Sequence, residues 1–246
     1  MSRFYYDLHI HSCLSPCGDN DMTPNNIANM AALAGLNIVA LTDHNTAKNC
    51  PAFFTAAKRA GIVPVAGMEL TTAEEIHLIC LFERLEDAMA FDALVEGRRS
   101  KVLNRPEIFG DQRILDGEDE LVGEDPYLLP PATDISLEEA AALVAEHGGV
   151  CHPAHVDRPS NGIIAVLGDL PETPRFSRVE FNNPDNIEPY RAQYLRLRDL
   201  PVLTCSDAHD LASIRDKSVW FDLPDDPYSS QLIRERLFAV LRGGTP

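Results

Sequence analysis

Short apolar runs alternate with segments of helical period along this chain. Phe4–His9, Asn37–Leu41, Ile62–Ala66 and His77–Phe82 read as strands. Thr23–Ala34 reads as a helix, with Thr23 as N-cap, Pro24 in its first turn and Gly35 as its stop. Pro51–Ala60 reads as a second helix, closed by Gly61. Ser136–His147 carries a Ser cap and Glu139 three residues on, the signature of a capping box, and Gly148-Gly149 end it. Val150–His155, Arg178–Phe181 and Pro201–Cys205 read as strands. Helices are predicted at Ile187–Arg198 and Ser229–Leu241. Strand–helix repetition of this kind predicts an α/β fold on a parallel sheet, either barrel or doubly wound.

The stretch 98–133 breaks the alternation. It carries eight acidic residues between Glu107 and Asp125, interspersed with glycines. A structureless loop of that length is unusual in a compact domain, so an inserted hairpin or lid is expected there. At 246 residues, the whole chain, 1–246, fits one barrel domain of about 250 residues.

Composition narrows the partners. No apolar run approaches the roughly 20 residues needed to span a bilayer, and the N-terminus lacks a signal-peptide core. No membrane association and a cytoplasmic location are expected. The formal net charge of −17 repels polyanions, which argues against extended nucleic-acid binding. A small phosphorylated substrate, such as a nucleotide or a sugar or amino-alcohol phosphate, remains compatible, as does a short oligonucleotide end. The six cysteines form no CxxC pair and, Cys17 apart, read as reduced buried thiols.

The candidate chemistry lies at the strand ends. His9 and His11, two residues apart on an extended segment, point the same way and can chelate one divalent ion. Asp43 and His44, then Glu69, end the next two strands. His77 sits at the start of Leu78–Leu81, His152 and His155 follow the double glycine, and Asp207 and His209 close Pro201–Cys205. In parallel α/β folds, sites form at the C-terminal ends of strands. One such histidine alone is usually structural. His and carboxylate side chains from five strand ends together point to a metal centre.

Asp7-Leu8-His9-Ile10-His11-Ser12, Thr42-Asp43-His44-Asn45, Glu69 of Gly67-Met68-Glu69-Leu70, His77, Ala154-His155 and Ser206-Asp207-Ala208-His209 share their order with a known family. Across Asp7 to His209 the chain resembles the PHP (polymerase and histidinol phosphatase) domain family. The resemblance implies a distorted seven-stranded (β/α) TIM-like barrel and a trinuclear metal site that hydrolyses phosphoesters. It implies one metal bound by His9, His11, Glu69 and Asp207. A second would share Glu69 and take His77 plus a histidine after the double glycine. A third would be held by His44, His209 and a ligand from the loop after the first strand. Mixed imidazole and carboxylate donors suit Zn, Mn or Fe, two or three ions in all. Asp7 and Asp43 are expected to orient ligands.

Two positions depart from the family pattern. His152 lies in a His-Pro step that many members have. His155 matches the six-residue spacing that runs from Asn37 to Asp43, Val63 to Glu69 and Pro201 to Asp207, and it is favoured. In Ser15-Pro16-Cys17-Gly18-Asp19 many relatives carry Ser-Asp-Gly, so Asp19 or Cys17 is left to complete the third site; Cys17 would favour zinc.

The expected reaction is in-line attack on phosphorus by a hydroxide bridging two ions at Glu69, with Asp207 beside it. Arg158, three residues past His155, is the candidate phosphate ligand, and Lys48 a weaker one. Asp43 or a metal-bound water is a candidate proton donor. The rival readings are an amidohydrolase-type C–N hydrolase and a metal-binding regulatory module without activity.

Overall fold

The computed structural model describes residues 1–246. Ten strands are present: β1 Ser2–Asp7, β2 Ile38–Leu41, β3 Val63–Thr71, β4 His77–Phe82, β5 Arg113–Leu115, β6 Leu121–Glu124, β7 Val150–Pro153, β8 Val179–Phe181, β9 Val202–Thr204 and β10 Trp220–Leu223. Eight helices join them: α1 Pro24–Leu33, α2 Cys50–Ala60, α3 Leu85–Arg98, α4 Pro106–Phe109, α5 Leu137–Glu146, α6 Ile163–Leu167, α7 Ile187–Gln193 and α8 Ser230–Leu241. The result is an α/β fold on a curled sheet.

The main sheet has the order β10-β1-β2-β3-β4-β7, and β8 and β9 form a parallel pair. Single backbone bonds reach across the gaps between them. Val156 N–H donates to Glu180 O after β7, and Asp207 N–H donates to His9 O after β1, both near 2.9 Å. Successive side chains of β2, β3 and β4 alternate between two apolar layers, as period two requires. Val39, Leu41, Met68 and Cys80 face the helices; Ile38, Ala40, Val63, Val65, Ile79 and Leu81 face inward. α8 closes the inner layer with Ile233, Leu237, Phe238 and Leu241.

The expected all-parallel sheet is corrected at β4, which is antiparallel to both β3 and β7. Only five residues separate Thr71 from His77, too few for a crossover, so the chain folds back as a hairpin. This reversal brings His77 to the same end of the sheet as Thr71, its partner across the ladder. Outside 98–133, three elements escape the sequence pattern. α3 has Arg84 at its N-cap with no capping side-chain bond, α6 is a short helix of five residues, and β10 is an edge strand antiparallel to β1. The expected helix Ile187–Arg198 is shorter, ending at Gln193 before a single 3₁₀ turn.

The expected capping box of α5 is half formed. Ser136 Oγ accepts from Glu139 N–H, but the Glu139 carboxylate turns to Arg98 instead of back to the cap. Stretch 98–133 holds α4 and the β5–β6 hairpin, and packs on the loops at the histidine end of the sheet. Arg113 N–H donates to Cys13 O, and Asn45 Nδ2 donates to Leu129 O. In β3, a Cβ on Gly67 would lie 2.6 Å from Cys80 O. Gly67→Ala is therefore expected to cost about 1–3 kcal/mol in urea unfolding by forcing β3 and β4 apart.

Candidate metal centre

Backbone bonds lock the strand ends into one cluster. Asp7 Oδ1 accepts from His9 N–H and Ser206 N–H, pinning the end of β1 to the loop after β9. His11 N–H donates to Ala208 O, Glu69 N–H to Asp43 O, and Asn45 N–H to Glu69 O. His9 and His11 lie just past the end of β1, and both rings are fully buried.

Glu69 sits at the middle. Its Oε1 is 2.8 Å from His77 Nδ1, 3.0 Å from His155 Nε2 and 3.4 Å from His9 Nε2. Its Oε2 is 2.9 Å from His44 Nδ1 and 3.3 Å from His11 Nε2. Asp207 Oδ1 lies 3.1 Å from His9 Nε2 and 3.2 Å from His11 Nε2. The His209 ring stacks on His11 with centroids 4.2 Å apart. Three groups have ligand atoms within 4.8 Å of one another: His9, His11 and Glu69; His44, Glu69 and His77; His11, His44 and His209.

Hydrogen bonding behind the rings tests whether these residues fit a cation. His9 Nδ1–H donates to Glu180 Oε1 at 2.8 Å, so a neutral His9 presents a lone pair at Nε2. The Ser15 hydroxyl has one proton and gives it to Asp43 Oδ1 at 2.7 Å. It must therefore accept from His11 Nδ1–H at 2.9 Å, which leaves a lone pair on His11 Nε2 as well. These two Nε2 atoms are 3.1 Å apart and both face Asp207 Oδ1. Converging lone pairs and carboxylates in a buried space repel unless a cation lies among them. The donor set fits a divalent ion of the Zn, Mn or Fe type.

A proton is the other cation that can enter. Burial opposes charge on His9, but Asp207, Glu180 and Glu69 outweigh it and hold His9 well above the ordinary imidazole value. Burial likewise opposes charge on His11, and Asp207 and Glu69 raise it to about 9. Burial and the positive His11 lower His44 to about 4 and His209 to about 3. A raised histidine stabilises the folded, metal-free chain most fully below its unfolded value, and that contribution is lost as pH rises through about 9. Metal entry must displace such protons. Calorimetric Mn²⁺ titration at pH 7.5 in buffers of different ionisation enthalpy is expected to show release of about one proton or more per chain. Uptake without proton release would contradict this protonation pattern.

Of the two histidines after the double glycine, His155 reaches the cluster. His152 turns away, with Nε2 3.6 Å from Glu180 Oε2. His155 and Asp207 have φ of 24° and 53°, left-handed backbone that non-glycine residues adopt at a cost. Arg158 Nη1 is 2.7 Å from Asp207 Oδ2, with the side chain 40% exposed at the rim. Lys48 is drawn off to Glu96 and Asp125, both at 2.9 Å, and does not join the cluster. Asp43 lies behind His11 with Ser15 between them, its oxygens taken by Ser12 N–H, Ser12 Oγ and Ser15 Oγ. That position suits orienting His11 and does not suit proton donation. Neither Cys17 nor Asp19 places a side chain in the three close-set groups. Asp19 is exposed and linked through its N–H to His209 O. Cys17 keeps surface exposure, yet the protein packed around it pushes its thiol up to about 12, helped by the charges of Glu69 and Asp207.

One residue of the cluster is absent from the sequence reading. Glu180, in the middle of β8, is fully buried and contacts His9. A carboxylate flanked by Val179 and Phe181 in an apolar strand was the available signal.

A 5'-3' exoribonuclease of Haemophilus influenzae is 32% identical over 111 residues, 44% of this chain and 39% of that one. The lesion-specific endonuclease PfuEndoQ of Pyrococcus furiosus superposes with a TM-score of 0.63 at 20% identity, covering 97% of this chain and 56% of the other. A candidate metal-dependent phosphoesterase of Bifidobacterium adolescentis gives 0.57 at 19% identity, covering 98% and 96%. The chain thus spans about two-fifths of that exoribonuclease and just over half of that endonuclease. The family model for the PHP domain matches residues 7–122, a span that includes His9, His11, His44, Glu69 and His77.

Proposed function

We propose that this chain is a metal-dependent hydrolase of phosphate esters, working at His9, His11, His44, Glu69, His77, His155, Asp207 and His209. The observation that carries it is the pair of facing Nε2 lone pairs on His9 and His11 beside Asp207 and Glu69. Divalent ions bound there supply Lewis acidity and an activated water. Glu69 offers one oxygen to each side of the cluster, which suits a shared ligand. Asp43 and Ser15 hold the His11 ring, and Asp7 holds the backbone of His9. Arg158, anchored on Asp207 at the rim, has a second guanidinium nitrogen free in its fork to bind a phosphoryl oxygen.

In this reading the six-stranded sheet and the β8–β9 pair make one distorted seven-stranded barrel, with β10 outside it, and the whole chain serves as a single domain. Support comes from the backbone bonds Val156 to Glu180 and Asp207 to His9. Stretch 98–133 acts as a lid, because it is bonded to the loops that carry Cys13 and Asn45. The third site would be held by His44 and His209 beside His11, and the Cys17–Asp19 loop adds no side chain to that group. No helix is long and apolar enough to cross a membrane, and we place the chain in the cytoplasm. The substrate is a nucleotide-type or other small phosphate ester, or the end of a short oligonucleotide. The net charge of −17 disfavours long nucleic acids. A C–N hydrolase of the amidohydrolase type is less well supported, because no lysine joins the cluster.

The test is a panel of phosphomonoesters, nucleotides and short 5'-phosphorylated RNAs assayed with Mn²⁺ and with chelator. Metal-dependent release of phosphate or nucleotide is expected, and loss of it in His9→Ala and Asp207→Ala. Activity that survives both substitutions would overturn the assignment.

A further inference from the structure

We infer that Glu180 is a positioning residue of the metal centre: a single buried carboxylate that sets the His9 tautomer and holds the backbone of His155. The inference rests on the metal-binding reading above and extends it to a residue outside the ligand set. Glu180 Oε1 accepts from His9 Nδ1–H at 2.8 Å and from His155 N–H at 3.2 Å. Its side chain is wholly buried on β8, which the Val156 to Glu180 backbone bond ties to the end of β7. One oxygen thus joins two distant segments, residue 9 after β1 and residue 155 after β7, and both of those side chains face Glu69.

Each bond has a separate consequence. Fixing the proton at His9 Nδ1 leaves the Nε2 lone pair directed at the cluster. Holding His155 N–H helps to keep a non-glycine residue at φ 24°, the turn that swings its ring toward Glu69 instead of outward. On its other side, Glu180 Oε2 faces His152 Nε2 at 3.6 Å, and neither atom has a hydrogen-bond partner. This gives His152 a place in the same assembly: it abuts the free oxygen of the carboxylate that positions the other two histidines.

Two conservative variants separate positioning from bulk charge. Glu180→Gln keeps the length of the side chain. Its carbonyl can replace Oε1 and its amide can donate to His152, while the charge is lost. Glu180→Asp keeps the charge but is one methylene too short to reach both His9 and His155. Mn²⁺ affinity is read by competition with a chromophoric chelator, alongside the unfolding midpoint of each metal-free protein. Glu180→Asp is expected to bind Mn²⁺ about 10- to 100-fold more weakly than wild type, and Glu180→Gln less affected than Asp, with both metal-free midpoints near that of wild type. The inference fails if Glu180→Gln is the weaker binder, if both bind as wild type does, or if the Asp deficit tracks a lowered metal-free midpoint. Wild-type protein that binds no Mn²⁺ would instead overturn the metal-binding reading itself, and this inference with it.

Discussion

Glu69→Gln is expected to lower the rate of phosphoester hydrolysis on the order of 10³-fold, equivalent to about 4 kcal/mol of barrier. The substitution is nearly isosteric, so the fold has no reason to change. Its chemistry changes at the most connected point of the cluster. Imidazole nitrogens of His9, His11, His44, His77 and His155 all lie within 3.4 Å of the Glu69 oxygens. His77, His9 and His44, with a hydrogen bond from His11, hold the carboxyl well below the usual range against the opposing effect of burial, so Glu69 is an anion in the folded chain. An amide brings no charge and replaces one acceptor by a donor. It offers no charge to bound cations, and its N–H groups would hydrogen-bond the imidazole lone pairs that a metal needs. Metal content and rate should fall together, while circular dichroism stays that of wild type. A Glu69→Gln protein that retained wild-type turnover would remove Glu69 from the reaction centre.

Removal of metal should weaken the fold as well as the activity. Without cations the cluster buries Glu69, Asp207 and Glu180 among imidazoles that cannot all be protonated, since His44 and His209 stay neutral down to about 4 and 3. Metal present at about 100 times its dissociation constant adds about 2.7 kcal/mol per site by mass action. For a chain of this size that corresponds to a rise in Tm of about 5–10 °C for one site, more if a second fills. Thermal unfolding with Mn²⁺ and with excess chelator measures it. Identical midpoints would mean that the cluster is a self-sufficient hydrogen-bond network.

Much of this centre could be read in the chain because its parts have fixed spacing. His9 and His11 are two residues apart, Asp43, Glu69 and Asp207 each follow a strand opening by six residues, and the same count from Gly149 selects His155 over His152. The elements were equally plain where alternation or caps marked them, as at α1, α2, β2 and β4. What escaped was non-local. The direction of β4 depends on the length of its turn, not on its composition. α3 has no capping side chain and a weakly segregated apolar face. β10 is a half-exposed edge that reads as loop until β1 pairs with it. Glu180 is one charged residue on a three-residue strand. No periodicity identifies it, and only the approach of β1 and β7 gives it partners. Cys17 and Asp19 stayed ambiguous because loop 12–22 is placed by hydrogen bonds to His209 and Arg113, both far away in sequence.

The most direct test of a metal-dependent phosphoesterase at this cluster is a single titration. Metal-stripped protein receives Mn²⁺ in stepwise equivalents while hydrolysis of p-nitrophenyl phosphate is followed, with Glu69→Gln protein in parallel. The expected result is no hydrolysis before metal is added, a rate that rises and saturates within two or three equivalents, and a flat response from Glu69→Gln. Hydrolysis at full rate in the metal-free protein, or a Glu69→Gln curve that matches wild type, would contradict it.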